Sequence, residues 1–339
     1  MIELDGARGE GGGQILRTAL TLAMITGRAF RIVRIRANRE QPGLRRQHLV
    51  AVQAAARVCD ADFSDIAVGA RTLEFAPRAI QGGHYDFDIG TAGSSTLVLQ
   101  TLLPALWHAD RPSTVRIVGG THNPMAPPAH FLQRAYARAL AAMGAGVALQ
   151  VRRFGFYPAG GGELFAQVQP CPRLQPLDLM ARGAPVAAYA ESIVAGVAAH
   201  VAQRELDCVR RDMGWSDAQL QTIVAPPGQG PGNALMITLE YRHVTEVFSA
   251  VGERKRRAEE VALQAIREAR DYLRTDAAVG EHLADQLMIP LALAGGGRFT
   301  ASRVSLHART NAQVICAFLP VRFAFDDQAG INACSVHPA

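Results

Sequence analysis

The chain has 339 residues, 49% of them apolar and 19% charged, which is enough to bury a large core and excludes a disordered chain. A net charge of +5 and a pI near 9.2 suit a polyanionic partner. Cys59, Cys171, Cys208, Cys316 and Cys334 are scattered without a Cys-x-x-Cys, which argues against a zinc or disulfide framework and for a reducing, cytoplasmic setting.

Ile2 and Leu4 read as a short strand running into Gly9-Glu10-Gly11-Gly12-Gly13, which opens directly into the amphipathic run from Gln14. A strand, a glycine turn and a helix N-terminus turn bare N–H groups and the helix dipole toward an anion, although many glycine turns merely start helices. The periodicity then predicts a helix over about 13–26, a strand over about 29–36, a helix over about 44–58 and two strands ending at Thr72–Phe75. From Tyr85 the order repeats. A strand at 85–89 meets Gly90-Thr91-Ala92-Gly93-Ser94, then come helix 96–107, strand 114–118, a helix over about 128–143, and strands through Val151 and from Glu163. A third copy follows late, with helices over 279–294 and 306–318 and strands near 298–303 and 321–325.

The rhythm breaks between about 184 and 276, where short strands, a helix over 199–213 and a long charged helix over 256–274 suffice for a small α/β module. The expected fold is therefore α+β. A large domain of three repeated α/β units occupies 1–183 and 277–339, and the module at 184–276 is inserted in the third unit. No apolar run reaches the length of a membrane span, and the opening residues carry no secretory signal pattern.

Of the 35 basic residues only Lys255 is a lysine, and there is no Gly-x-x-x-x-Gly-Lys-Ser/Thr loop. A lysine nucleophile is disfavoured, because this one sits among arginines in a solvated-looking run at 253–257 that reads as a helix start or an RNA contact. Arginines are dense over 31–48, and Arg34 and Arg36 are predicted to project from the same side of a strand. That density suits a phosphate partner, and equally a solvated basic face. Asn123-Pro124-Met125-Ala126-Pro127-Pro128 reads as a rigid helix-entry turn or as the wall of a base pocket. Asp285, Gln286 and His282 open an apolar helix, where they serve as ordinary N-terminal polar residues or contact a base and ribose. His307 stands at another helix start. A neutral imidazole there can attack phosphorus, the covalent role that the missing lysine leaves open, while a lone histidine at a helix start also serves as a cap.

Together Gly9–Arg17, Pro42-Gly43-Leu44-Arg45-Arg46-Gln47-His48, Gly90–Ser94, Gly119-Gly120-Thr121-His122-Asn123-Pro124, Gly155–Gly162, Ala278–Leu287 and the His307 segment resemble the RNA 3′-terminal phosphate cyclase family, in order and over nearly the whole chain. The resemblance implies units like the C-terminal domain of a translation initiation factor, with a thioredoxin-like insert. It implies an ATP-dependent enzyme with a divalent cation, magnesium or manganese, acting on RNA 3′-phosphate ends through a histidine–AMP adduct on His307. By matching positions, Glu10 resembles the metal-holding residue. Arg17, Arg36, Arg39, Gln47 and His48 resemble the phosphate-handling set. Gln100, His282, Leu283, Ala284, Asp285 and Gln286 resemble the ATP site, with Pro128 and Phe131 lining the adenine pocket. Position 282 is His where the family often has Tyr, which implies weaker or pH-dependent stacking. No membrane partner is implied, and a homodimer is left open. Two other readings share related folds: a non-catalytic homologue in ribosome assembly, and an enolpyruvyl-transferase-like enzyme, which the near absence of lysine opposes.

Overall fold

In the computed structural model, which describes residues 1–328 and 331–339, helix α1 (Gln14–Thr26) buries Ile15, Leu16, Ala19, Leu20, Leu22 and Ala23. It stops at Gly27, whose left-handed φ of 67° lets its N–H reach the Ala23 carbonyl. Strands β1 (Ile2–Asp5), β2 (Phe30–Val33), β3 (Asp62–Phe63) and β4 (Leu73–Ala76) form a sheet in the order β1-β2-β4-β3. β1 and β2 are parallel and the other pairs antiparallel, and α2 (Arg46–Cys59) lies between β2 and β3 in the chain.

The strand predicted over 29–36 ends three residues early. Arg34 and Arg36 both take a φ of 53°, so the chain turns after Val33 and the expected shared side is lost. Arg34 pairs with Asp5, whereas Arg36 donates to the carbonyls of Gln41 (2.8 Å) and Gly43 (2.9 Å).

A second sheet has the same plan. Its strands are β5 (His84–Asp88), β6 (Ser113–Gly119), β7 (Val147–Arg153) and β8 (Gly162–Val168), in the order β5-β6-β8-β7. Helix α3 (Ser95–Leu106) starts at Ser94, whose hydroxyl accepts from the Leu97 N–H at 3.2 Å. The next helix runs as α4 (Ala129–Phe131), a π-helical turn (Leu132–Tyr136) and α5 (Ala137–Ala142). A third sheet joins β9 (Leu177–Leu179) to strands far along the chain. These are β14 (Gly297–Ala301), β15 (Val321–Gln328) and β16 (Ile331–Pro338), in the order β9-β14-β16-β15, with helices α8 (Glu281–Leu293) and α9 (Leu306–Phe318). Again the first pair is parallel and the rest antiparallel.

Between β9 and α8 lies a fourth sheet, β11-β10-β12-β13, from β10 (Pro185–Ala195), β11 (Leu220–Val224), β12 (Gly232–Tyr241) and β13 (Thr245–Val251). It carries α6 (His200–Met213) and α7 (Ala258–Leu273). Alternation along β12 sends Leu235, Ile237 and Leu239 into a separate core with both helices, and Ala234 and Met236 into the core of the rest of the chain. Arg134 in the π turn and Arg138 in α5 clamp this sheet. Arg134 pairs with Glu191 and donates to Thr238 at 3.2 Å, and Arg138 reaches the Tyr241 carbonyl at 2.7 Å. The chain is thus a mixed α/β fold of the α+β class.

Candidate active site

The N-termini of α1, α8 and α9 converge, because α9 packs on both α1 and α8. Each helix starts without a bulky residue or with a small cap. Gly13 precedes α1, Gly280 precedes α8, and Ser305 caps α9 by accepting from the Ala308 N–H at 3.1 Å. Three positions in the glycine turn tolerate nothing larger, Gly11 (φ +62°) among them because a β-carbon there would run into Asn38. A β-carbon on Gly9, whose φ is +58°, would run into Thr310 Oγ1, and one on Gly13 would run into His48 Nε2.

This convergence sets His307 between two carboxylates. Its Nδ1 is 3.1 Å from Asp285 Oδ2, and its Nε2 is 3.5 Å from Glu10 Oε2. Asp285 is buried, and its other oxygen accepts from Gln14 Nε2 (2.6 Å) and Asn311 Nδ2 (3.2 Å). Asn311 is fixed in turn by the Thr18 hydroxyl at 2.8 Å. Glu10 is paired with Arg39. Arg17 lies near both acids; burial lowers its guanidinium to about 10, an effect that Asp285 and Glu10 oppose.

These groups open onto a cavity of about 640 Å³. One wall is the proline turn with Pro128 and Phe131, another is the start of α8 with His282 and Gln286, and a third is the fourth sheet and α7. A concave site with convergent polar groups is where a small ligand would be expected to bind.

The RNA 3′-terminal phosphate cyclase family model matches residues 8–325. The chain belongs to that family. It is similar to curated RNA 3′-terminal phosphate cyclases from Ralstonia nicotianae (55% identical over 321 residues, 94% of this chain and 92% of the relative), Ectopseudomonas mendocina (53% over 320 residues, 94% and 93%) and Koribacter versatilis (48% over 328 residues, 97% and 92%).

Of the residues that the resemblance to the cyclase family singled out, Glu10, Arg17, Arg39, Pro128, Phe131, His282, Asp285, Gln286 and His307 line the cavity. The others lie behind it. Gln100 donates to Gln286 from α3, and Leu283 and Ala284 are buried on the core side of α8. Arg36 holds the turn after β2, and Gln47 accepts from the Ser94 N–H at 2.7 Å. His48 is buried, and its Nδ1 accepts from the Arg45 N–H at 3.1 Å. Burial, then Arg17, Arg36 and Arg45, push its imidazole down to about 3, so it is neutral beneath the glycine turn.

Sequence reasoning about the cyclase family missed Gln14, Thr18 and Asn311. Part of their signal was present: Gln14, Thr18 and Thr21 recur at helical spacing in α1, whereas Asn311, in α9, has no such pattern. It also missed Gln264 and Glu268, which reach the cavity from α7 and have no neighbouring motif. Among the described residues no group of three His, Cys, Asp or Glu is placed to hold a metal ion, and no helix is long and apolar enough to cross a membrane. All five cysteines are free.

Proposed function

We propose that the chain converts an RNA 3′-terminal phosphate to a 2′,3′-cyclic phosphodiester at the expense of ATP, with His307 as the covalent nucleophile. The observation that carries this reading is His307 held by Asp285 in the cavity wall. A carboxylate facing Nδ1 keeps the proton there and leaves the lone pair on Nε2, the nitrogen that faces Glu10 and the open site. Nε2 attacks the α-phosphorus of ATP, the bond to the β-phosphate oxygen breaks and pyrophosphate leaves. An oxygen of the RNA 3′-phosphate then attacks that phosphorus and frees the histidine. The ribose 2′-OH attacks the terminal RNA phosphorus, loses its proton and expels AMP.

Arg17 and Arg39 supply fixed positive charge beside the reacting phosphates. Pro128, Phe131 and His282 offer an apolar and aromatic slot for the adenine. Glu10 directs a carboxylate oxygen at the cavity opposite a nitrogen lone pair, a donor that suits a hard divalent cation such as magnesium or manganese. When bound, that cation offsets triphosphate charge.

The shared strand order of three sheets supports three copies of one α/β unit over 1–183 and 277–339. The separate core under β12 supports a thioredoxin-like insert over 184–276. Incubation with labelled ATP and a divalent salt tests the reading. AMP is expected on the parent in an acid-labile, alkali-stable bond and absent from His307→Ala; equal labelling of both would remove His307 from the role.

A further inference from the structure

A second recess, of about 390 Å³, opens on the fourth sheet where β13 leads into α7. Val197, Val201 and Val261 form apolar walls, and Arg204, Lys255 and Arg256 are among its cations. The recess adjoins the main cavity, since Glu253 and Arg256 line both.

The cations differ in what already occupies them. Arg204 is held by both oxygens of Glu259 (2.8 and 2.7 Å), and Arg257 by Glu260 (2.8 Å). Among the described residues no carboxylate pairs with Lys255, and Arg256 donates only to neutral groups, the Gln264 amide oxygen at 2.8 Å and the Glu260 carbonyl at 3.3 Å. Lys255, the chain's single lysine, also takes a φ of 71°, a left-handed backbone that a non-glycine residue rarely adopts. The one carboxylate in the lining, Glu253, pairs with neither Lys255 nor Arg256 among the described residues.

An RNA whose 3′ end reaches His307 must leave the main cavity as a strand with one negative charge per nucleotide. The wall shared with the recess offers it a route along which the first cations, Arg256 and then Lys255, lack an acidic partner. We propose that this recess binds the phosphodiester backbone of the substrate RNA a few nucleotides from its 3′ end, with Lys255 and Arg256 as the phosphate contacts. The proposal rests on the RNA substrate inferred above.

The test compares Lys255→Asn, which accepts the left-handed backbone, with Lys255→Arg, which keeps the charge. For a long 3′-phosphorylated oligonucleotide, Lys255→Asn should raise KM roughly fivefold and flatten the dependence of log KM on log salt by about 0.7, the share of one phosphate contact on a single strand. Lys255→Arg should restore both. A dinucleotide 3′-phosphate is too short to reach the recess and should keep its KM, and labelling by ATP alone should not change. An unchanged KM and salt slope for the long RNA in Lys255→Asn overturns the proposal. So does an equal rise for the dinucleotide, or a loss confined to ATP labelling. Anisotropy of a labelled oligonucleotide reads the same contact without turnover. A parent protein that failed to label with ATP would therefore sink the proposed function and leave this test standing.

Discussion

His307 Nδ1 lies 3.1 Å from Asp285 Oδ2, while the other oxygen of the same carboxylate is held at 2.6 Å by Gln14, from a helix that begins nearly three hundred residues earlier. The carboxylate therefore cannot rotate freely, and it fixes both the tautomer and the direction of the imidazole. Asp285→Asn keeps the shape and removes the charge that holds the Nδ1 proton. Labelling by ATP should fall by about 10²- to 10⁴-fold with the fold intact, read as adenylylation rate beside the circular dichroism spectrum. Gln14→Ala, which loosens the carboxylate but leaves it and its bond from Asn311 in place, should cost less than Asp285→Asn. A Gln14→Ala loss as large as that of Asp285→Asn would show that the amide acts directly on substrate.

The glycine turn makes a second prediction, on stability and on coupling. In Gly9→Ala the new methyl meets the Thr310 hydroxyl in a backbone conformation that alanine resists, so a loss of about 1–3 kcal/mol is expected in chemical unfolding. Thr310→Ala removes the collision but not the strain. The double variant should be more stable than the sum of the two single losses, and additive losses would mean that the turn moves away from α9 instead.

These two sets of residues show what was legible in the sequence. Helices such as 13–26 and 306–318 came within a residue or two of their observed bounds, because apolar spacing and caps such as Ser305 are local. Glu10 stood out through the resemblance of the glycine turn that holds it, and His307 as an imidazole at a helix start. Their meeting, and the amides that hold Asp285, depend on α9 packing against α1, which no local pattern encodes. Arg34 and Arg36 failed for the opposite reason. Their neighbourhood looks like a strand, and only the tertiary contacts with Asp5 and the Gly43 carbonyl reveal a turn.

The pH dependence of stability should carry the signature of Glu246. Burial pushes its carboxyl up to about 8, while its oxygen accepts from the Gly280 N–H at 2.6 Å, at the start of the helix that carries Asp285. The folded pKa is above the unfolded one, near 4.5, so its stabilisation is complete below about 4.5 and is lost as pH rises toward 8. Glu246→Gln should abolish this part of the alkaline decline, at most about 1.4 kcal/mol per pH unit for one proton, in denaturant titrations at several pH values. His48 works in the other direction. With its imidazole held down at about 3, stability is lost as pH falls from the unfolded value near 6.5, and His48→Gln should flatten that acid limb.

The proposed nucleotide slot supplies the last prediction. His282 lines the cavity with Pro128 and Phe131, and an imidazole presents less aromatic area than a phenol ring. His282→Tyr should enlarge the stacking surface and lower KM for ATP about two- to tenfold, the range expected for one aromatic pair. Glu268 reaches the same cavity from α7; burial raises its carboxyl, and the hydrogen bond from the Gln264 amide opposes that. If both proteins show the same KM for ATP, the base does not stack on residue 282, and the proline turn must hold it from the other side alone.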